Sequence, residues 1–548
     1  LTDRVLEYVS LFRVMFADRP LWMFLAILAA LTAWAGLARG AQDAVLPDAS
    51  AAAPGRWRSR ARNAALLALI GYVAIVIWYV SKEAYYDFAE PTIASVAWLF
   101  DRGRPIYHAF DAAERYSHMY GPLAFIIPGW FLAIAGPSIL ASKAVGALAG
   151  LIGLVVIYRL VGTATTDRAQ ALMLTGLFAL VCLMYRNLSF WLRPDSFTLL
   201  FTSLALLAAM WRQRWAAAIG VGVCTGVLLN LKLTGPLYAL PAFGLLVARF
   251  GIGSIAVACV ATITTAAAPF LAFSNVSFEN YVTWVRMSAK NGLLFTVLHQ
   301  NIEWAMFLLL PLAPTLLLPE PPSLPPGARR WLYAGLAAGL AGVVVAASKP
   351  GAGSYHLMPF WPIVIYAIAL HADALRARFR EDAGLRRGVL AFSIVVGVIG
   401  GVQQVYWIEA TRLMNGVSLA EDLGQFMNAN PGRTIAMGYN HFGERFTFAR
   451  PLIVFRSGIY PIDAPAVQEY GMSGLVVPEA TIAAVRRCEV DLWLIPKGAA
   501  PFEGPNKYPT TNYRPLFPES FIRAFAESYE HASDTRYFEI WSCRHAAR

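Results

Sequence analysis

The sequence predicts an α-helical polytopic membrane protein, with about 11–12 transmembrane helices and a small C-terminal α/β extracytoplasmic domain. Three observations predict it: a shortage of charge along most of the chain, apolar runs of spanning length that recur to residue 406, and a change of rhythm beyond. Of 548 residues, 57% are hydrophobic and 14% charged, where a soluble globular protein carries about a quarter charged residues. The deficit is too widely spread for a single anchor, so soluble enzymes and nucleic-acid-binding domains are excluded. The net charge of +11 does not imply a nucleic-acid partner, because the basic residues lie mostly in short loops between apolar runs. Zinc spacings, a P-loop and a dinucleotide fingerprint are missing from the sequence.

Residues 1–63 form an N-terminal segment. It starts at Leu1, which points to a fragment or an unusual start codon, and it has the acidic residues and lacks the cleavage site that distinguish it from a signal peptide. Its apolar run at 21–38 either crosses the bilayer or lies in the interface. Further apolar runs fall near 64–80, 119–136, 139–161, 170–185, 196–211, 215–229, 236–250, 254–272, 303–318, 331–347, 357–371 and 388–406. A helix rising about 1.5 Å per residue needs about 20 residues for a hydrocarbon core of about 30 Å.

Arginines orient these runs. Arg56, Arg58, Arg60 and Arg62 precede the first of them. Arg212 and Arg214, Arg249, Arg329 and Arg330, and the series from Arg376 to Arg387 mark later loops. With these loops cytoplasmic, the loops near 81–138, 186–195, 230–235, 273–302 and 348–356 face outward, as does the tail. The run at 119–136 breaks the parity. Gly121, Pro122, Pro128 and Gly129 suit a re-entrant or surface-lying helix, which leaves eleven crossings within 64–406.

The tail, 407–548, alternates β-like runs (TIAMGY, LIVFRSG, VDLWLIP, YFEIWSC) with helical stretches (PEATIAAVRRC, PESFIRAFAESY), the rhythm of a small α/β domain. Cys182, Cys224 and Cys259 sit in apolar runs as ordinary buried thiols. Cys488 and Cys543 could pair in an oxidising compartment, although spacing alone does not give connectivity.

Polar groups collect in the outward loops. Asp87 and Glu90, at i and i+3, would share one face of a helix and could activate a hydroxyl or hold a divalent cation such as Mg2+ or Mn2+; a solvated acidic loop would look the same. Arg193 and Asp195 flank Pro194 at a helix entry, as a site or as a structural ion pair. Lys232 could serve a ligand or snorkel to the interface. Lys349, Tyr355 and His356 share a short Gly-rich loop. Ionisable groups converging at one membrane depth are expensive, and together they read as a site. The outer-loop aromatics Tyr107, Tyr116, Tyr281 and Trp284 suit either sugar stacking or the usual membrane belt.

These loops resemble the GT-C superfamily of membrane glycosyltransferases, in particular the branch of the protein O-mannosyltransferases and the aminoarabinose lipid A transferase. The resemblance rests on Asp87, then Ala97, Gly103, Pro105 and Tyr107, then Tyr120-Gly121-Pro122-Leu123, on Arg193-Pro194-Asp195-Ser196, and on the Ser354-Tyr355-His356-Leu357 loop. It covers residues 64–406. The sequence departs from the pattern at Gly121, where a proline is expected, and in the two residues separating Asp87 from Glu90. The resemblance implies an inner-membrane enzyme with its site and tail in the periplasm. It would move a sugar from a polyprenyl-phosphate donor to the hydroxyl of a glycan, lipid or protein acceptor by an inverting displacement. Asp87 would be the base and Glu90 its orienter, with Arg193, Asp195, Lys232, Lys349, Tyr355, His356 and Tyr120 binding substrate. The rival readings are a transporter or flippase of a lipid-linked or anionic substrate, and a membrane scaffold for the outer domain. A transporter would show paired half-repeats with charges near the midplane; here the charges sit at helix ends.

Overall fold

The computed structural model describes residues 54–544 apart from 186–187, 317, 322, 373–374, 376–382, 416–417 and 508–510. The run at 21–38 and the arginines at 376, 378 and 380 lie outside the described residues. Each of the eleven runs read as crossings is helical, and the helices in order are α1 (Pro54–Val80), α2 (Ala89–Asp101), α3 (Leu123–Ala135), α4 (Ile139–Gly162), α5 (Arg168–Leu183), α6 (Pro194–Ala209), α7 (Arg214–Leu229), α8 (Gly235–Phe250), α9 (Gly253–Ala272), α10 (Phe278–Ser288), α11 (Phe295–Leu309), α12 (Ala328–Ala346), α13 (Trp361–Leu370) and α14 (Ala383–Asn415).

Three helices, Ser59–Val80, Ile139–Gly162 and Gly253–Ala272, are long and apolar enough to cross a membrane unaided. Several others run 16 residues, or roughly 24 Å. Large apolar side chains such as Ile70, Ile77, Val155, Val260 and Ile263 are more than half exposed along the helix flanks. Such a belt is costly in water and suits lipid. Between helices, small residues permit close approach. A side chain at Gly146 or Gly150 would strike the carbonyls of Trp191 and Ser189, so α4 packs flat against the segment that leads into α6.

The run at 119–136 yields α3, 13 residues with Pro128 inside, about 20 Å long. It packs on the equally short α2. In the region expected to be the outer loop 273–302, α10 and the helix that follows meet at 96°. That helix begins at Phe295 rather than near 303. Its polar first turns are accommodated because Asn301 is buried, donating to the carbonyls of Val344 and Ala347 and to Ser348.

Beyond α14 come α15 (Leu419–Ala429), β1 (Ile435–Met437), α16 (Pro451–Ser457), α17 (Ala464–Met472), α18 (Glu479–Arg486), β2 (Leu492–Pro496), α19 (Glu519–Ser528), β3 (Tyr529–Asp534) and β4 (Phe538–Cys543). The sheet order is β1-β2-β4-β3, with β1 parallel to β2 and the other pairs antiparallel. The LIVFRSG run, read as β-like, is instead helix α16. Pro451 occupies its first turn, and the buried neighbours Ile453 and Val454 suit one helical face. Strand β3, YEHASD, carries almost no apolar signal because all but Tyr529 is exposed. A disulfide joins Cys488 to Cys543 and ties the end of β4 to the loop before β2.

Candidate functional site

Four helix ends converge on one cluster of charges. Asp87 precedes α2, and its Oδ1 accepts the Ala89 N–H at 2.8 Å, an N-terminal cap in function. Its Oδ2 lies 2.8 Å from Arg193 Nη1. Arg193 stands at the N-cap of α6, and its Nε is 3.3 Å from Asp195 Oδ2. Asp195 Oδ1 in turn meets Lys232 Nζ at 2.6 Å, across the turn between α7 and α8. The result is an alternating ladder: Asp87, Arg193, Asp195, Lys232. The last three are 1–6% exposed and Asp87 is 17% exposed. Alternation of sign is what makes such burial tolerable.

Tyrosines wall the ladder. Arg193 donates to the Tyr120 hydroxyl at 3.4 Å. The Tyr355 ring lies 5.2 Å from the Arg193 guanidinium and 5.4 Å from Lys232 Nζ, within cation–π reach. The His356 ring lies tilted against Tyr355 at 4.4 Å, and its Nδ1 is buried without a hydrogen-bond partner. Lys349 Nζ points to the Met119 sulfur at 3.0 Å and forms no ion pair among the described residues. All the substrate-binding candidates named from the sequence therefore lie around one locus.

The shared helical face expected for Asp87 and Glu90 does not form, because α2 begins only at Ala89. Glu90 is fully buried. It accepts from the Tyr79 hydroxyl and from the N–H groups of Tyr86 and Leu192. Lys143, itself buried, caps the end of α1 through the Tyr79 and Lys82 carbonyls. Burial raises the Glu90 carboxyl above the ordinary carboxylate range, with Lys143 and Tyr79 opposing. Glu90 thus grips Leu192 while Asp87 grips the adjacent Arg193. With their oxygens turned to different partners, the two carboxylates do not fit a shared divalent cation, and among the described residues no group of three or more His, Cys, Asp and Glu is arranged for a metal.

Gly121 departs from the expected proline for a physical reason. Its N–H bonds the Leu231 carbonyl at 3.2 Å, and a Cβ there would stand 2.3 Å from the Asn230 carbonyl carbon. The close approach brings Tyr120 up to the Lys232 turn.

The sequence reading passed over a second network, which seats the sheet domain. Asp463 is completely buried. Its oxygens lie 3.0 Å from Arg450 Nη2 and 2.6 Å from His118 Nε2, and the Thr92 hydroxyl adds a bond at 3.1 Å. Arg450 also reaches the Phe88 carbonyl, and Arg115 and Ile462 form a β-bridge. Burial alone would lower the basicity of His118, but Glu469 and Asp463 hold it up to about 10. Burial would raise Asp463, yet Arg450 and His118 keep it below the usual range. Nearby, His108 Nε2 accepts the Tyr116 and Ser117 N–H groups. Burial and Arg115 lower it to about 3, so it stays neutral. The aromatics offered for sugar stacking are core: Tyr107, Tyr116 and Trp284 are at most 1% exposed, and Trp284 donates to the His108 carbonyl. No sequence motif marks Asp463 or Arg450, whose partners in the helical body, His118, Thr92 and Phe88, lie hundreds of residues away.

No protein-family model matches the chain, and no curated protein matches it in sequence. Solved structures do. ArnT from Cupriavidus metallidurans bound to undecaprenyl phosphate superposes with a TM-score of 0.51 at 14% identity, over 90% of this chain and 99% of that one. The apo state of the same protein gives 0.52 at 12% identity, over 87% and 97%. At such identity the likeness is one of fold, and it agrees with the GT-C resemblance of the outer loops. The chain is therefore a mostly helical membrane protein of the ArnT fold, closed at one end by a small mixed-sheet domain.

Proposed function

We propose that the chain is a membrane glycosyltransferase that moves a sugar from a polyprenyl-phosphate donor to an extracytoplasmic acceptor hydroxyl. The observation that carries this reading is the buried ladder from Asp87 to Lys232, set at the helix ends of an ArnT fold. The similar structure holds undecaprenyl phosphate, a ligand of the class proposed. The site side is read as periplasmic from the arginines. Arg212, Arg249 and Arg329 lie at the far ends of α6, α8 and α12, away from the ladder. The Cys488–Cys543 disulfide in the sheet domain favours the same side, where oxidising conditions hold.

The reaction is a single inverting displacement. The acceptor oxygen bonds to the anomeric carbon as the bond from that carbon to the phosphate oxygen breaks, and the electron pair leaves with the polyprenyl phosphate. Asp87 takes the acceptor proton, being the ladder carboxylate with an exposed edge. Glu90, sealed by Tyr79 and Leu192, acts as a positioning residue for the segment that carries Arg193. Arg193 and Lys232 are each faced by a carboxylate, so their charge is largely compensated. Lys349 is not so compensated and is the cation assigned to the leaving phosphate, with His356 Nδ1 as a neighbouring polar partner.

The test is release of polyprenyl phosphate from labelled polyprenyl-phosphate sugars by the purified protein in nanodiscs. Release by the wild type and its loss in Asp87→Asn is expected. Equal release by both would remove Asp87 as the base, and no release with any donor would remove the glycosyltransferase reading.

A further inference from the structure

His118, Met119 and Tyr120 are consecutive, yet each reaches a different wall of the site. His118 meets Asp463 and Glu469 of the sheet domain, Met119 meets Lys349 of the late outer loop, and Tyr120 meets Arg193 of α6. Glu469, on α17, is thereby brought beside the ladder from a separate domain. Its Oε2 is buried and has no hydrogen-bond partner. His118 Nδ1 lies 3.7 Å away, an ion pair that helps to keep the imidazole charged but is too long for a hydrogen bond. Glu469 is also within electrostatic reach of Lys349 and Tyr120. A buried carboxylate oxygen without a donor is costly; Oε2 itself is sealed, and the 20% of the side chain that stays exposed is where a ligand would meet the carboxylate. On the other side of Met119, Lys349 is a cation without an ion-pair partner among the described residues. An open acceptor and an open cation separated by one side chain match a sugar phosphate, which carries hydroxyl donors beside an anionic group.

We propose that Glu469 completes the substrate site as a specificity-determining residue, its carboxylate accepting a hydrogen bond from a hydroxyl of the transferred sugar while Lys349 holds the adjoining phosphate. The assignment rests on the glycosyltransferase reading above and deepens it. It makes the sheet domain a working wall of the site, held in register by Asp463, Arg450 and the Arg115–Ile462 bridge.

The test uses the full chain in nanodiscs with three probes: a polyprenyl-phosphate hexose that the wild type turns over, the set of its single-deoxy analogues, and bare polyprenyl phosphate. Glu469→Gln and Glu469→Ala are expected to raise the donor KM by roughly ten- to a hundredfold, the loss of a bond to a charged acceptor, without changing the affinity for bare polyprenyl phosphate. One deoxy analogue should suffer the same penalty with the wild type and none further with Glu469→Ala. An unchanged donor KM, or an equal loss for bare polyprenyl phosphate, would overturn the assignment while leaving the transferase reading intact. Turnover of no donor by the wild type would overturn both. Lys349→Met is the contrasting variant, expected to weaken bare polyprenyl phosphate as much as the donor; if it spares the bare lipid, the partition between phosphate and sugar is wrong.

Discussion

Two buried charge networks lie on either side of Tyr120, built from similar parts to different ends. In the dock, Asp463 is sealed, with a cation nitrogen within 3.0 Å of each oxygen and the Thr92 hydroxyl beside them. It joins two domains whose residues are far apart in sequence. In the ladder, every member belongs to the helical body. Its first carboxylate is 17% exposed, and the neighbouring His356 Nδ1 has no hydrogen-bond partner. Buried charge alone does not separate a joint from a site. What separates them is access: the ladder's first carboxylate keeps an edge that a ligand can reach, whereas Asp463 keeps none.

The largest expected effect breaks the ladder at its open end. Asp87→Asn keeps the cap on Ala89 and a hydrogen bond to Arg193 but loses the base. Turnover should fall by about 10²–10⁴-fold, measured as polyprenyl phosphate released per folded molecule. A smaller loss than tenfold would mean the ladder is a joint like the dock.

Breaking the dock should read out differently. Asp463→Asn leaves Arg450 buried without its counter-charge and His118 with Glu469 alone, a loss of about 3–5 kcal/mol by analogy with other broken buried pairs. Limited proteolysis should then cut the sheet domain free earlier than in the wild type, while α1–α14 stay protected. Should the tail remain as resistant as before, Asp463 is not what seats it.

Acidity sharpens the same contrast. His118 is raised to about 10 from an ordinary 6.5, so its contribution to docking is complete below about pH 6.5 and is lost as pH rises through about 10. Asp463 is lowered from 3.8, so its contribution is complete above that value and is lost as pH falls below it. The tail should therefore resist protease across neutral pH and loosen at both extremes, the alkaline side first revealing His118. Loosening near pH 7 would contradict the His118–Asp463 pairing. His118→Gln should remove the alkaline transition and keep the acid one.

Much of the helical body was legible because apolar period and arginine position are local signals. Arg193, Asp195 and Lys232 could be set at one membrane level by counting crossings, and the ladder follows once α6 and α8 begin at that level. What counting misses is direction. Asp87 and Glu90 looked like one pair because spacing says nothing about where a helix starts, and the start at Ala89 turns them to different neighbours. The tail was harder. PLIVFRSG is short enough to suit strand or helix, and Pro451 at its head decided for the helix. Cys488 and Cys543 were an open pairing, because their joining depends on the β2–β4 register. Glu469 and His118 had no signal at all, because their importance comes from an interdomain contact made only after both domains fold.

The smallest expected effect tests whether the ladder's position matters as well as its charges. Gly121→Ala adds one methyl against the Asn230 carbonyl, at a separation no pair of real atoms sustains. Either α3 or the α7–α8 turn must shift, at about 1–3 kcal/mol for a forced overpacking. Lys232 lies two residues beyond Asn230, and Tyr120 immediately precedes Gly121, so the shift falls on both walls of the phosphate region. The melting temperature should drop modestly, and the donor KM should rise severalfold with the sheet domain still docked. A drop in melting temperature with no change in KM would mean that Lys232 follows Asp195 rather than its own turn. In that case the 2.6 Å contact between them sets the geometry, and the glycine serves packing alone.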